Sequence, residues 1–189
     1  MSAAATVSPV PTPSEELVYD FGVESLLRAL GSALTPELKA KMKDAGIDTS
    51  KKLLPGYPRA VWERSVALIA VELSQGDLAV SQRALGARLT QGFAGTALGR
   101  MLAPAVRLTG VKRAMKQLPR NLTITNNFMK VTLEELAPTE VRVTASQACP
   151  SADFLAGVIE GIARYAGAAT CEVSFSQAGT QTVFAVRWT

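Results

Sequence analysis

Histidine does not occur anywhere in the 189 residues. Without an imidazole there is no Ser-His-Asp or Cys-His catalysis of the usual kind. There is equally no imidazole ligand for haem iron and no histidine ligand for zinc. Cysteine is nearly as scarce. Two thiols, Cys149 and Cys171, cannot close a four-thiolate zinc site. In a cytosolic protein such a pair reads as small buried hydrophobes rather than a disulfide. No Asp/Glu spacing suggests a carboxylate-only metal site. No apolar run reaches the roughly eighteen residues that span a bilayer. Residues 1–14 lack both a basic start and a continuous apolar stretch, so they do not read as a secretory signal. The expectation is a cytoplasmic, non-enzymatic protein with no cofactor, no metal and no transmembrane segment.

At 48% hydrophobic residues, the chain can bury a core without disulfide staples. Residues 1–16, with Pro9, Pro11 and Pro13 among small residues, read as a disordered tail. Residues 17–189 read as one α+β domain, mainly helical over 17–120 and sheet-forming over 121–189. Val23, Leu26, Leu27 and Leu30 recur at helical spacing, and Gly31 stops that helix. Thr35, Pro36 and Glu37 start a second helix, which Gly46 ends. Val61, Trp62, Val66, Ile69, Ala70 and Leu73 form one broad apolar face. Residues 81–109 are helical but interrupted by Gly86, Gly92, Gly95, Gly99 and Pro104. Close helix–helix approach explains those glycines better than a phosphate loop, whose fingerprints they do not match. A short basic helix over 111–117 ends before Pro119.

After that the periodicity changes. Strands are expected around 122–125, 128–136 and 141–146. A helix follows from Ser151 to Ala166, with Phe154, Leu155, Val158, Ile159 and Ile162 as its stripe. Gly157 and Gly161 let it press on a sheet. Two strands finish the chain: Cys171, Val173 and Phe175 face the same way as Phe184, Val186 and Trp188 across a turn at 177–179. Helices followed by a strand–strand–helix–strand–strand unit argue α+β with an antiparallel sheet.

One charged region departs from background. Between Leu78 and Leu133 there is no Asp or Glu, yet nine Lys and Arg residues. The whole chain carries a formal +4, so the remainder is net acidic. Such asymmetry marks either an anionic partner or charges paired within the fold. Lys112, Arg113, Lys116 and Arg120 are the best-clustered set, with 112 and 116 sharing a helix face. Nucleic acid is disfavoured, because Phe93 is the sole aromatic of the region before its strands.

Five segments, in order, carry a resemblance: VESLLRALGSALTPELKAKMKDAGID, PGYPRAVWERSVALIA, QGFAGTALGRMLAPAVRLTG, PRNLTITNNF and DFLAGVIEGIARYAGA, with VRW near the end. Over about residues 20–188 the chain resembles a family of proteins without assigned function, expanded as paralogues in myxobacteria. Its C-terminal third resembles a broader superfamily. That superfamily includes the haem-nitric-oxide-binding domain, the vinyl-reductase small-molecule-binding domain and the TRAPP transport-complex subunits. The resemblance implies a helical part followed by an antiparallel sheet with a crossing helix. It implies ligand binding or assembly rather than catalysis. The haem-binding relatives use an axial His, which this chain lacks. The vinyl-reductase-type relatives carry Cys and His, and here Cys149 and Cys171 stand without His partners. The TRAPP-like relatives dimerise and hold an acyl chain.

Three readings follow. The first is a sensory or regulatory domain that binds a small apolar or amphipathic ligand between the helical part and the sheet. Trp62, Phe93, Phe154, Gly157 and Phe175 would lie at that pocket. The second is a homodimeric interaction module whose seam is the Gly92/Gly95/Gly99 helix. The third is an anion or nucleic-acid binder through Lys112, Arg113, Lys116 and Arg120. No nucleophile, base and orienting group come together in the sequence. Glu160, among apolar neighbours mid-helix, reads as facing solvent.

Overall fold

A computed structural model describes residues 15–74, 76–146 and 151–189. The tail over residues 1–14 and Cys149 lie outside the described residues. A short antiparallel ribbon pairs β1 (Leu17–Tyr19) with β2 (Gly56–Pro58) and closes the N-terminal helices into a unit. Its three-residue strands were too short to leave a period in the sequence. Between them lie α1 (Asp20–Leu30), a single 3-10 turn (Gly31–Ala33) and α2 (Pro36–Ala45). The Thr35 hydroxyl accepts the Leu38 N–H at the start of α2, and Gly46, at φ 113°, ends it. Both were expected from the residue types, because an N-cap needs a short acceptor and a left-handed C′ position favours glycine.

α3 (Arg59–Leu73) and α4 (Leu78–Ala94) follow. Asp77 caps α4, its Oδ1 accepting the N–H groups of Ala79 and Val80. The glycine-interrupted stretch does break once, at Gly95. Thr96 then caps α5 (Ala97–Lys116) by accepting the Gly99 N–H. Gly110, at φ 75° and ψ 171°, breaks α5 again, so the basic segment after it forms a separate turn of helix.

The strand expected over residues 122–125 is instead helical: α6 spans Leu118–Thr125. Alternating Leu122, Thr123, Ile124 and Thr125 mimic a strand period. Pro119 at the first turn and the burial of Leu118 prevail over that local signal. The hydroxyls of Thr123 and Thr125 turn back onto the carbonyls three residues earlier.

The C-terminal unit contains β3 (Val131–Ala137), β4 (Glu140–Ala145), α7 (Ala152–Tyr165), β5 (Cys171–Ala178) and β6 (Gln181–Trp188). All four strands are antiparallel, in the order β3-β4-β6-β5. The register pairs Cys171 with Trp188, Val173 with Val186 and Phe175 with Phe184, so their side chains share one face. Val141, Val143, Phe184 and Val186 are buried in one core with Leu155, Ala156 and Ile159 of α7. A second core gathers Val23, Leu26, Met42, Ile47, Ile69 and Leu85.

Those cores meet at α4, and glycine makes the junction tight. A Cβ on Gly157 would lie 1.9 Å from the Arg83 carbonyl oxygen, and one on Gly86 would lie 2.0 Å from that of Phe154. Gly161 faces α4 as well, through Ala87 and Thr90. The α7 glycines therefore press on a helix, not on the sheet. On another face of α4, Gly92 touches α1, where a Cβ would sit 2.0 Å from the Ser25 carbonyl oxygen. Gly92 is thus spent on packing within the chain and offers no outward seam. Gly99 abuts the preceding turn at Phe93.

Candidate functional site

A cavity of about 720 Å³ opens among α3, α4, α5, α6 and α7. Its volume falls within the roughly 300–1,000 Å³ of small-molecule sites. No strand of the four-stranded sheet lines it. The sheet lies behind α7, so the expected position between helices and sheet is corrected to one inside the helical layer. The reason is again α7: it packs its glycines on α4 and presents Phe154, Leu155, Val158 and Ile162 to the void.

The wall is built from few devices. Trp62 of α3 meets Phe154 of α7 edge-on, with ring centroids 6.1 Å apart. Phe93, near the end of α4, precedes the break that turns α5 back to supply Leu98, Leu102 and Val106. Asn126 is buried after α6. Its Oδ1 accepts the Met129 N–H at 2.7 Å and the Phe128 N–H at 3.2 Å, and its Nδ2 donates to the Leu122 carbonyl. This holds Phe128 and Met129 in the wall. Sequence reasoning passed over Asn126, although an Asn pair directly after a helix is a turn signal. Arg59 stacks over Phe128 at 4.9 Å and pairs with Glu63 at 2.5 Å and Glu16 at 3.0 Å.

Of the expected pocket residues, Trp62, Phe93 and Phe154 line this one cavity. Gly157 does not, because its α-carbon faces the α4 backbone. Phe175 does not either. It lies on β5, 37% exposed, with its ring tilted against Phe184.

The basic cluster divides in two. Lys112 and Lys116 both reach Glu135 of β3, at 2.7 and 2.5 Å. Hydrogen bonds from the two lysines hold the Glu135 carboxyl below its usual range. Arg113 and Arg120 point elsewhere, and both line the cavity with Gln117 and Asn121. The signal for those two amides was present: 113, 117 and 121 follow each other at i, i+4.

A second polar group lies outside this wall. Glu160 is only 8% exposed, not turned to solvent as its position suggested. Its Oε1 accepts from Arg83 Nε at 3.0 Å and Nη2 at 2.6 Å. Arg83 Nη2 also donates to the Val173 carbonyl, so one guanidinium ties α4, α7 and β5 together. The pair raises the Arg83 pKa. Cys171 borders the same recess. Burial, with the Glu160 charge as a smaller cause, pushes its thiol up to about 11. At pH 8 about one molecule in a thousand then carries the nucleophilic thiolate. Alkylation at pH 8 should therefore leave the Cys171 peptide unmodified in folded protein and label it fully after denaturation. Equal labelling in both states, read by peptide mass spectrometry, would contradict the burial. Among the described residues no cluster of three or more His, Cys, Asp or Glu could hold a metal. No described helix is long and apolar enough to cross a membrane.

A family model described as "Protein of unknown function (DUF2378)" matches residues 16–189. No curated protein matches the chain. Among solved structures the chain is similar to the Fe(II) unliganded H-NOX protein from K. algicida. That match has a TM-score of 0.64 at 9% identity, covering 89% of this chain and 95% of that one. It is similar also to an oxygen-binding H-NOX domain related to soluble guanylate cyclases, in its oxygen complex. There the TM-score is 0.60 at 13% identity, with 88% and 91% covered. At these identities the likeness shows the fold: helices, then an antiparallel sheet with a crossing helix.

Proposed function

Since the chain belongs to the DUF2378 family of unknown function, we propose from its geometry that it is a non-enzymatic sensory or regulatory domain. It takes up one small amphipathic ligand in the cavity among α3 to α7. The observation that carries this reading is the wall itself. Trp62, Phe93, Phe128 and Phe154 converge with Leu98, Leu102, Val106, Val158 and Ile162 on one void of about 720 Å³. Protein interiors are ordinarily packed without voids much larger than a water molecule. Water inside such a wall finds few hydrogen-bond partners, so an apolar occupant gains contacts that water cannot supply. The likeness to the fold of an oxygen-binding H-NOX domain supports a ligand-binding role.

Haem does not fit as the occupant in the manner of an imidazole-ligated protein. The chain has no histidine. Cys171 lies outside the cavity wall, with its thiol held protonated. The domain's output would be the shift of α4, α5 and α7 that accompanies filling, since a ligand acts only through differential affinity for two states.

Native mass spectrometry, followed by denaturing spectrometry of the same sample, tests the reading. An excess mass that disappears on denaturation is expected for the wild type. Leu102→Trp fills the cavity from α5 and should abolish that excess while circular dichroism stays unchanged. A folded Leu102→Trp protein that keeps the full adduct would overturn the assignment of the cavity.

A further inference from the structure

We propose that the ligand is a single-chain amphiphile ending in an oxyanion, whose charged end is held by Arg113 and Arg120 at the rim of the cavity. This inference rests on the cavity reading above and adds the chemistry of the headgroup. Gln117, between α5 and α6, keeps helical backbone angles, and Asn121 N–H bonds to the Gln117 carbonyl at 2.8 Å. The helical path therefore continues, and Arg113, Gln117, Arg120 and Asn121, at i, i+4, i+7 and i+8, fall on one face. All four line the cavity and all four reach solvent, which places them at its mouth.

Their charges are available. The lysines on the adjacent face are consumed by Glu135, whereas Arg113 and Arg120 form no ion pair among the described residues. The other wall cation, Arg59, is engaged by Glu16 and Glu63. Among the described residues Glu63 is the sole carboxylate in the wall, and its charge is met by Arg59, so it does not recruit a cationic ligand. One end of a largely apolar void thus carries two arginines without ion-pair partners among the described residues, with two amide side chains beside them. A guanidinium presents its N–H groups as a planar fork that fits a carboxylate or a phosphate. Acyl carboxylates and alkyl phosphates share that chemistry, and the test separates them.

Affinities for laurate, dodecyl phosphate and dodecanol, measured by calorimetry on the full chain, isolate the headgroup at constant chain length. At least one of the two anions should bind about tenfold or more tightly than the alcohol. The tighter of the two identifies the source. Arg113→Gln with Arg120→Gln should bring that anion down to the affinity of dodecanol and leave dodecanol itself unchanged. Lys112→Gln with Lys116→Gln should alter neither. Dodecanol binding as tightly as both anions would overturn the headgroup assignment, and so would a double-arginine variant that keeps the preference. In either case the cavity reading survives if Leu102→Trp blocks all three probes. If none of the probes binds, or if Leu102→Trp has no effect on their binding, the cavity reading falls instead.

Discussion

Gly157→Ala should destabilise the protein by about 1–3 kcal/mol, although the same change usually favours a helix. Alanine is preferred to glycine in a helix interior by about 1 kcal/mol, and Gly157 sits in the middle of α7. The opposing effect is steric. The added Cβ would lie 1.9 Å from the Arg83 carbonyl oxygen, 2.8 Å from its carbonyl carbon and 3.0 Å from the Ala87 nitrogen. Backbone atoms of α4 cannot rotate away as a side chain can. The helices must part by more than an ångström, which costs the overpacking penalty of about 1–3 kcal/mol and the loss of the surrounding contacts. Urea unfolding followed by circular dichroism reads the outcome from the midpoint at constant slope. Gly95→Ala is the control. Its Cβ would meet nothing closer than 3.3 Å, so the change should fall within about 0.5 kcal/mol. A stabilised Gly157→Ala protein would show that α4 and α7 do not meet backbone to backbone.

Arg83→Met should cost about 2–4 kcal/mol. The change removes both hydrogen bonds to Glu160 and the one to the Val173 carbonyl. Glu160 is left buried without its counter-charge. Breaking a buried pair costs about 3–5 kcal/mol. The range is lowered here because the Arg83 side chain is about one third exposed and the site is partly solvated. Adding Glu160→Met should return most of the loss, since replacing both partners removes the stranded charge. The three variants, compared by urea midpoint, separate the pair from its packing. If Arg83→Met alone stays within about 0.5 kcal/mol of wild type, the pair does not hold α4, α7 and β5 together.

Much of the secondary structure was readable because its determinants are local. Thr35, Pro36 and Gly46 mark both ends of α2 within a dozen residues. The alternation at Cys171, Val173 and Phe175 gives the paired face of β5 directly. Residues 122–125 failed for a matching reason. Their alternation is a local signal, and the burial that prevails over it comes from Leu118 meeting the C-terminal core. The glycines showed that close contacts exist, but a glycine does not name its partner, so Gly157 was matched to the sheet instead of α4. The site was legible to the same extent. Large aromatic residues announce burial, which singled out Trp62, Phe93 and Phe154, and all three line the cavity, but burial alone does not separate the wall of a void from the end of a sheet. Phe175 belongs to the second case. The basic cluster was read as one feature, because nothing local tells that Glu135, across the turn into β3, claims two of its four charges.

The contact between Gly157 and the Arg83 carbonyl has a genetic corollary. When a new side chain collides with another side chain, a second mutation that shrinks the neighbour can restore the fit. Here the obstacle is a main-chain oxygen, common to every residue type, so no exchange at position 83 removes it. The same holds between Gly86 and the Phe154 carbonyl. Lesions at these glycines have no allele-specific suppressor at the opposing residue. Any rescue must come from a rigid displacement of α4 against α7. Both helices wall the cavity, so a revertant that regains stability would pay with a reshaped ligand compartment.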